Sequence, residues 1–159
     1  MKDLMEFIEE SLLDMDDSNF VTTSQLLEIS LIELFKSLLQ YTEKPHSMGN
    51  NITLMFDKKY DLNKFNDIIK NVRSDLDSID IKYIYESGIK EQGSLKYYYN
   101  DIEFKINGFE VAMDFTYSYK KYIDLDKGPM EAPDHGFLQI HVFGMKGKQF
   151  FKKLKKELK

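Results

Sequence analysis

The sequence predicts an α+β fold: an antiparallel sheet of four to six strands with helices packed on one face, a helical N-terminus and an amphipathic C-terminal helix. Three observations carry this. An Asn107-Gly108 pair separates two runs of alternating apolar and polar residues, the signature of a tight hairpin. Residues 62–77 repeat apolar side chains at spacings of three and four, which is one face of a helix. The remaining segments are ordered as helices first, then strands with one helix between them, and then a helix again.

Each element has its own justification. Residues 2–15 place Leu4, Ile8 and Leu12 on one stripe of a short acidic helix. Thr22, with Gln25 three residues on, forms a capping box for a second helix that runs to about Tyr41. Leu27, Leu31, Leu34 and Leu38 line that helix, and Leu26, Phe35 and Leu39 widen its apolar face. The stretch EKPHSMGNN reads as a loop. Residues 52–56 read as a strand, and Asp61 caps the helix whose face is Leu62, Phe65, Ile69, Val72 and Leu76. Ile79, Ile81, Tyr83 and Tyr85 alternate as a strand, and residues 88–93 turn the chain.

The hairpin fixes its own register. A two-residue turn sets Ile106 against Phe109, Phe104 against Val111 and Ile102 against Met113, with Lys105 and Glu110 paired on the opposite side. Extended further, the register would oppose Asp101 to Asp114. Facing like charges destabilise a sheet, so a bend at Asn100-Asp101 is the expectation. Residues 119–136 show no periodicity, hold Pro129 and Pro133, and are expected to be an irregular acidic loop. Residues 137–143 return to strand through Leu138, Ile140 and Val142. Phe150, Phe151, Leu154 and Leu158 mark the last helix. No linker divides the chain, so residues 1–159 read as a single domain: a helical N-terminal pair over 1–43, then sheet and helices over 50–159.

Composition narrows the chemistry. The 159 residues include no cysteine, which excludes a disulfide scaffold, a thiolate zinc site, an iron–sulfur cluster and a cysteine nucleophile. There is no glycine-rich phosphate loop and no G-x-S-x-G elbow. No apolar run is long enough for a membrane span. The N-terminus is acidic and lacks the basic lead-in of a secretory signal, so the cytoplasm is the expected compartment. The formal charge is −5, and Arg73 is the only arginine among 22 basic residues, which argues against a nucleic-acid reader. Ten acids fall within residues 1–43 and seven lysines within the last fifteen residues; the lysines read first as a solvated helix face favoured at a helix C-terminus, then as neighbours of the acidic first helix, and least as a basic tail for membranes or nucleic acid.

Two constellations could carry function. Eight of the ten tyrosines fall between positions 83 and 122, three of them consecutive at 97–99, so a strand must show them on both faces. Tyrosine offers large contact area at small entropic cost and is enriched at binding hot spots. The leading expectation is therefore a protein-binding module and not an enzyme, one form of it a toxin-neutralising, immunity-type inhibitor. Its face would comprise Tyr97, Tyr99, Tyr117, Tyr119 and Tyr122 with Asp124, Asp126, Glu131 and Asp134, steering toward a basic partner protein without a cofactor. The alternative is a metal-dependent hydrolase or small-ligand binder using Asp114, Asp134, His135 and His141. A third reading is a homodimer formed through the N-terminal helices.

Overall fold

The computed structural model describes residues 23–159. The expected helix over 2–15 and the Thr22 cap lie outside the described residues. Helix α1 (Thr23–Ser37) continues into a 3-10 turn (Leu38–Tyr41). Then come strands β1 (His46–Met48) and β2 (Asn51–Met55), helix α2 (Leu62–Ser78), strands β3 (Tyr83–Gln92), β4 (Leu95–Ile106), β5 (Phe109–Asp124) and β6 (Gly128–Phe143), and helix α3 (Gly147–Glu157). All six strands form one antiparallel sheet in the order β1-β2-β6-β5-β4-β3. This is the α+β architecture the sequence predicts.

The Asn-Gly hairpin forms in the register read from its turn: Ile106 opposes Phe109, Phe104 opposes Val111 and Ile102 opposes Met113. Asn107 (φ 52°) and Gly108 (φ 83°) both take the left-handed conformation that a two-residue turn demands. The Asn107 amide also donates to the Ser24 carbonyl at 2.9 Å, which ties the turn to the start of α1. The Asp61 cap forms as well, its Oδ1 accepting from the Lys64 amide at 2.9 Å.

One face of the sheet carries the core. Ile52, Leu54, Ile102, Phe104, Val111, Met113, Phe115, Leu138 and Ile140 pack there against α1 (Leu31, Leu34, Phe35), α2 (Phe65, Ile68, Val72, Leu76) and α3 (Phe150, Phe151, Leu154). Gly136 belongs to this face for a steric reason: a Cβ there would lie 2.8 Å from the Phe65 ring. Helices α1 and α3 lie side by side, so Lys153 of the basic C-terminal stretch reaches Glu28 at 3.9 Å. The pair is solvent-exposed on the lysine side and contributes little to stability. No described helix covers the other face.

Four expectations are corrected. The segment EKPHSMGNN is not a plain loop: residues 46–48 pair with β2 across a Gly49-Asn50 turn. Gly88 does not turn the chain; β3 runs through it to Gln92, and only Gly93 adopts the left-handed turn conformation. No bend occurs at Asn100-Asp101 either, since β4 runs unbroken and Asp101 stands opposite Asp114.

The largest correction concerns residues 119–136. They are two paired strand ends and a turn at 125–127, not an irregular loop. Past the core both faces of this hairpin meet solvent, so no buried side chain imposes alternation on the sequence. The prolines are tolerated because β2 pairs with β6 only over residues 137–141 and Phe56 bonds Gly136, which leaves residues 128–135 of β6 paired to β5 alone. A bulge between Ser118 and Tyr119 bends the hairpin where it leaves the core.

Candidate functional site

Strand alternation and the register place the uncovered face residue by residue. One row across the sheet reads Glu86, Asp101, Asp114, Gln139, Thr53 and His46. The row on one side of it reads Gly88, Tyr99, Thr116, Phe137 and Met55. The row on the other side reads Ile84, Glu103, Ala112, His141, Asn51 and Met48. Tyr97, Ser118 and His135 continue the face toward the hairpin ends, and Phe143 lies beyond His141. Met48, Ile84, Tyr122 and Phe143 all point to this side and are largely exposed. The face therefore has an acidic centre with aromatic and apolar side chains around it.

The acidic centre has unusual electrostatics. Asp101 and Asp114 are directly opposed on adjacent strands, where facing Cβ atoms lie about 5 Å apart. The Asp101 carboxyl is pushed up from its ordinary 3.8 to about 6, first by partial burial and then by the Asp114 carboxylate; Lys90 acts in the opposite direction. Asp114 is shared with His141, whose Nε2 lies 3.3 Å from Oδ2, and the His141 ring stacks on Phe143. An acidic pair of this kind holds a proton, or exchanges it for an incoming cation.

The tyrosines divide as strand geometry requires. Tyr97 and Tyr99 stand on the uncovered face. Tyr99 lies across Gly88, where an added Cβ would fall 2.7 Å from its Cζ, and Lys90 Nζ sits 4.9 Å from its ring centre. Glycine at position 88 is thus the seat of an aromatic side chain. Tyr117 belongs to the core, 2% exposed and tilted at 54° against the Phe65 ring, 5.4 Å between centres. Tyr119 packs between Tyr98 and Tyr117 on the helix side. Burial, then neighbouring negative charge, raises the phenol pKa of Tyr117. Tyr122 is exposed on the projecting hairpin.

The expected carboxylates are mostly engaged. Asp124 Oδ1 accepts from the amides of Asp126 and Lys127 at 2.8 and 3.0 Å and closes the β5–β6 turn. Glu131 pairs with Lys96 at 3.4 Å. Asp134 lies 3.2 Å from His135 Nδ1, its chain neighbour. Asp126 is exposed at the turn. The nine residues expected to form one binding face are therefore split between the core, the helix side, the hairpin turn and the uncovered face.

The Asp/His cluster is likewise divided. His135 and His141 share a face of β6 but are six residues apart, about 20 Å along a strand. The four form two separate pairs, Asp114 with His141 and Asp134 with its chain neighbour His135. Among the described residues no group of three or more His, Asp or Glu side chains could hold a metal ion.

Sequence reasoning missed Glu86, Ile84, Phe137 and Phe143 as members of the face. Their signal was present: the alternation of residues 137–143 that sends Leu138, Ile140 and Val142 inward sends Phe137, His141 and Phe143 outward. Among the described residues no helix is long and apolar enough to cross a membrane. No family model, no curated protein and no solved structure matches the chain.

Proposed function

We propose that the protein is a binding module that engages another protein through the uncovered sheet face. The observation that supports this is the acidic row Glu86–Asp101–Asp114 set among Tyr97, Tyr99, Phe137, Phe143 and Ile84. Aromatic anchors around a charged centre are the composition of a binding hot spot. A lysine or arginine of the partner would enter between Asp101 and Asp114 and remove the like-charge repulsion of the ionised pair. Electrostatic attraction would speed the encounter, and the aromatic rim would slow dissociation.

The partner's matching surface is basic and carries a protruding cation. A toxin neutralised by an inhibitor of this kind is one such partner, and the cytoplasm is the compartment this reading assumes. Nucleic acid and membrane do not fit an acidic recognition centre.

The test is affinity capture from native lysate, quantified by mass spectrometry. Tyr97→Ala/Tyr99→Ala is expected to lose at least one protein that the wild type retains. Unchanged capture would exclude this face.

A further inference from the structure

A groove lies between α2 and the β3–β4 pair, mainly on the helix side of the sheet, and reaches round the β3 edge to Gly88 and Tyr99. It encloses about 580 Å³, within the range of small-ligand sites. Asn66, Ile69, Lys70 and Arg73 form one wall at successive turns of α2; Tyr85, Ile89, Tyr98 and Asn100 form the other. None of the residues lining it is acidic, in a chain with 27 acids.

Its charged groups are both cations, Lys70 and Arg73. Arg73, the only arginine, is half-buried, with its guanidinium carbon 3.8 Å from the centre of the Tyr85 ring. Its Nε donates to the Tyr83 hydroxyl at 3.3 Å. Among the described residues it has no carboxylate partner, so four of its five N–H groups are uncommitted. Asn100 is 8% exposed, and its Oδ1 accepts from the Tyr85 hydroxyl. This assigns the amide orientation and leaves the Asn100 NH2 without an acceptor among the described residues. A half-buried guanidinium without a counter-ion is costly. The planar donor edge of an arginine stacked on an aromatic ring matches a carboxylate.

We propose that this groove binds the carboxylate of a small organic acid with a flat apolar body. The carboxylate would take the Arg73 edge and the Asn100 amide, with Lys70 adding positive charge at the rim. The apolar body would lie along Ile69, Ile89 and the Tyr98 ring.

The test is titration of the intact protein by heteronuclear NMR with three probes: benzoate, its neutral isostere benzamide, and inorganic phosphate. Benzoate is expected to shift the resonances of Asn66, Ser87 and the Asn100 side-chain amide saturably. Benzamide should bind at least about tenfold more weakly, the worth of one charge-assisted contact. Arg73→Gln should weaken benzoate by a similar factor, and Lys70→Gln, at an exposed position, by less. Three results would overturn the proposal: no saturable shift in the groove, equal binding of benzamide, or phosphate binding more tightly than benzoate. The comparison of probes on the wild type decides the matter even if Arg73→Gln fails to fold.

Discussion

Asp101 is where the sequence poses its sharpest conflict. Its carboxyl titrates at about 6 in the folded protein against an ordinary 3.8. The folded state therefore binds the proton more tightly. The resulting stabilisation is complete below pH 3.8 and is lost as pH rises through about 6. Asp101→Asn is expected to raise stability by about 1 kcal/mol or less near neutral pH, a figure discounted for solvent exposure. It should leave stability unchanged at acid pH, as read by denaturant unfolding at two pH values. A retained like-charge pair costs stability, and a binding face is where such a cost is kept. The turn residue Asn107 makes a second test. Asn107→Ala should destabilise by about 1–2 kcal/mol, because alanine is strained at φ 52° and the bond to Ser24 is lost.

Secondary elements were legible wherever a buried face imprints a period. The α2 stripe and the Asn107-Gly108 register could be written down from residues alone because a one-residue slip would expose Phe104, Val111 and Met113. The projecting half of β5–β6 could not, since neither of its faces meets the core. Gly88 misled for a related reason: an isolated glycine in a strand reads as a turn unless the aromatic ring above it is known. The candidate face was legible only in part. Tyr97 and Tyr99 followed from strand alternation, and the alternation of Val111, Met113 and Phe115 also sends Tyr117 to the core, whereas Tyr119 fell in the stretch read as a loop. Gly88→Ala is expected to displace the Tyr99 ring and cost about 1–3 kcal/mol, measured by thermal or denaturant unfolding. Unchanged stability would mean that the ring does not rest on β3.

At the scale of the molecule, the sheet separates two environments. Among the described residues three helices seal one face into a core, and the opposite face presents acids, imidazoles and aromatic rings. Helix α3 carries its lysines on the helical side, while Glu86, Asp101 and Asp114 mark the sheet side. A basic partner approaching the protein is thus oriented before contact. Binding such a partner releases the proton on Asp101, so affinity should rise between about pH 5 and pH 7 and fall with added salt.

Replacing Asp101 with lysine tests this account most directly. A lysine opposite Asp114 makes a favourable cross-strand pair, so Asp101→Lys should fold at least as well as the wild type while reversing the sign of the binding centre. In quantitative capture from native lysate, the account predicts that Asp101→Lys loses a protein that both the wild type and the exposed helix-side control Asn63→Ala retain. Identical capture by all three, or no protein that distinguishes them, would contradict it.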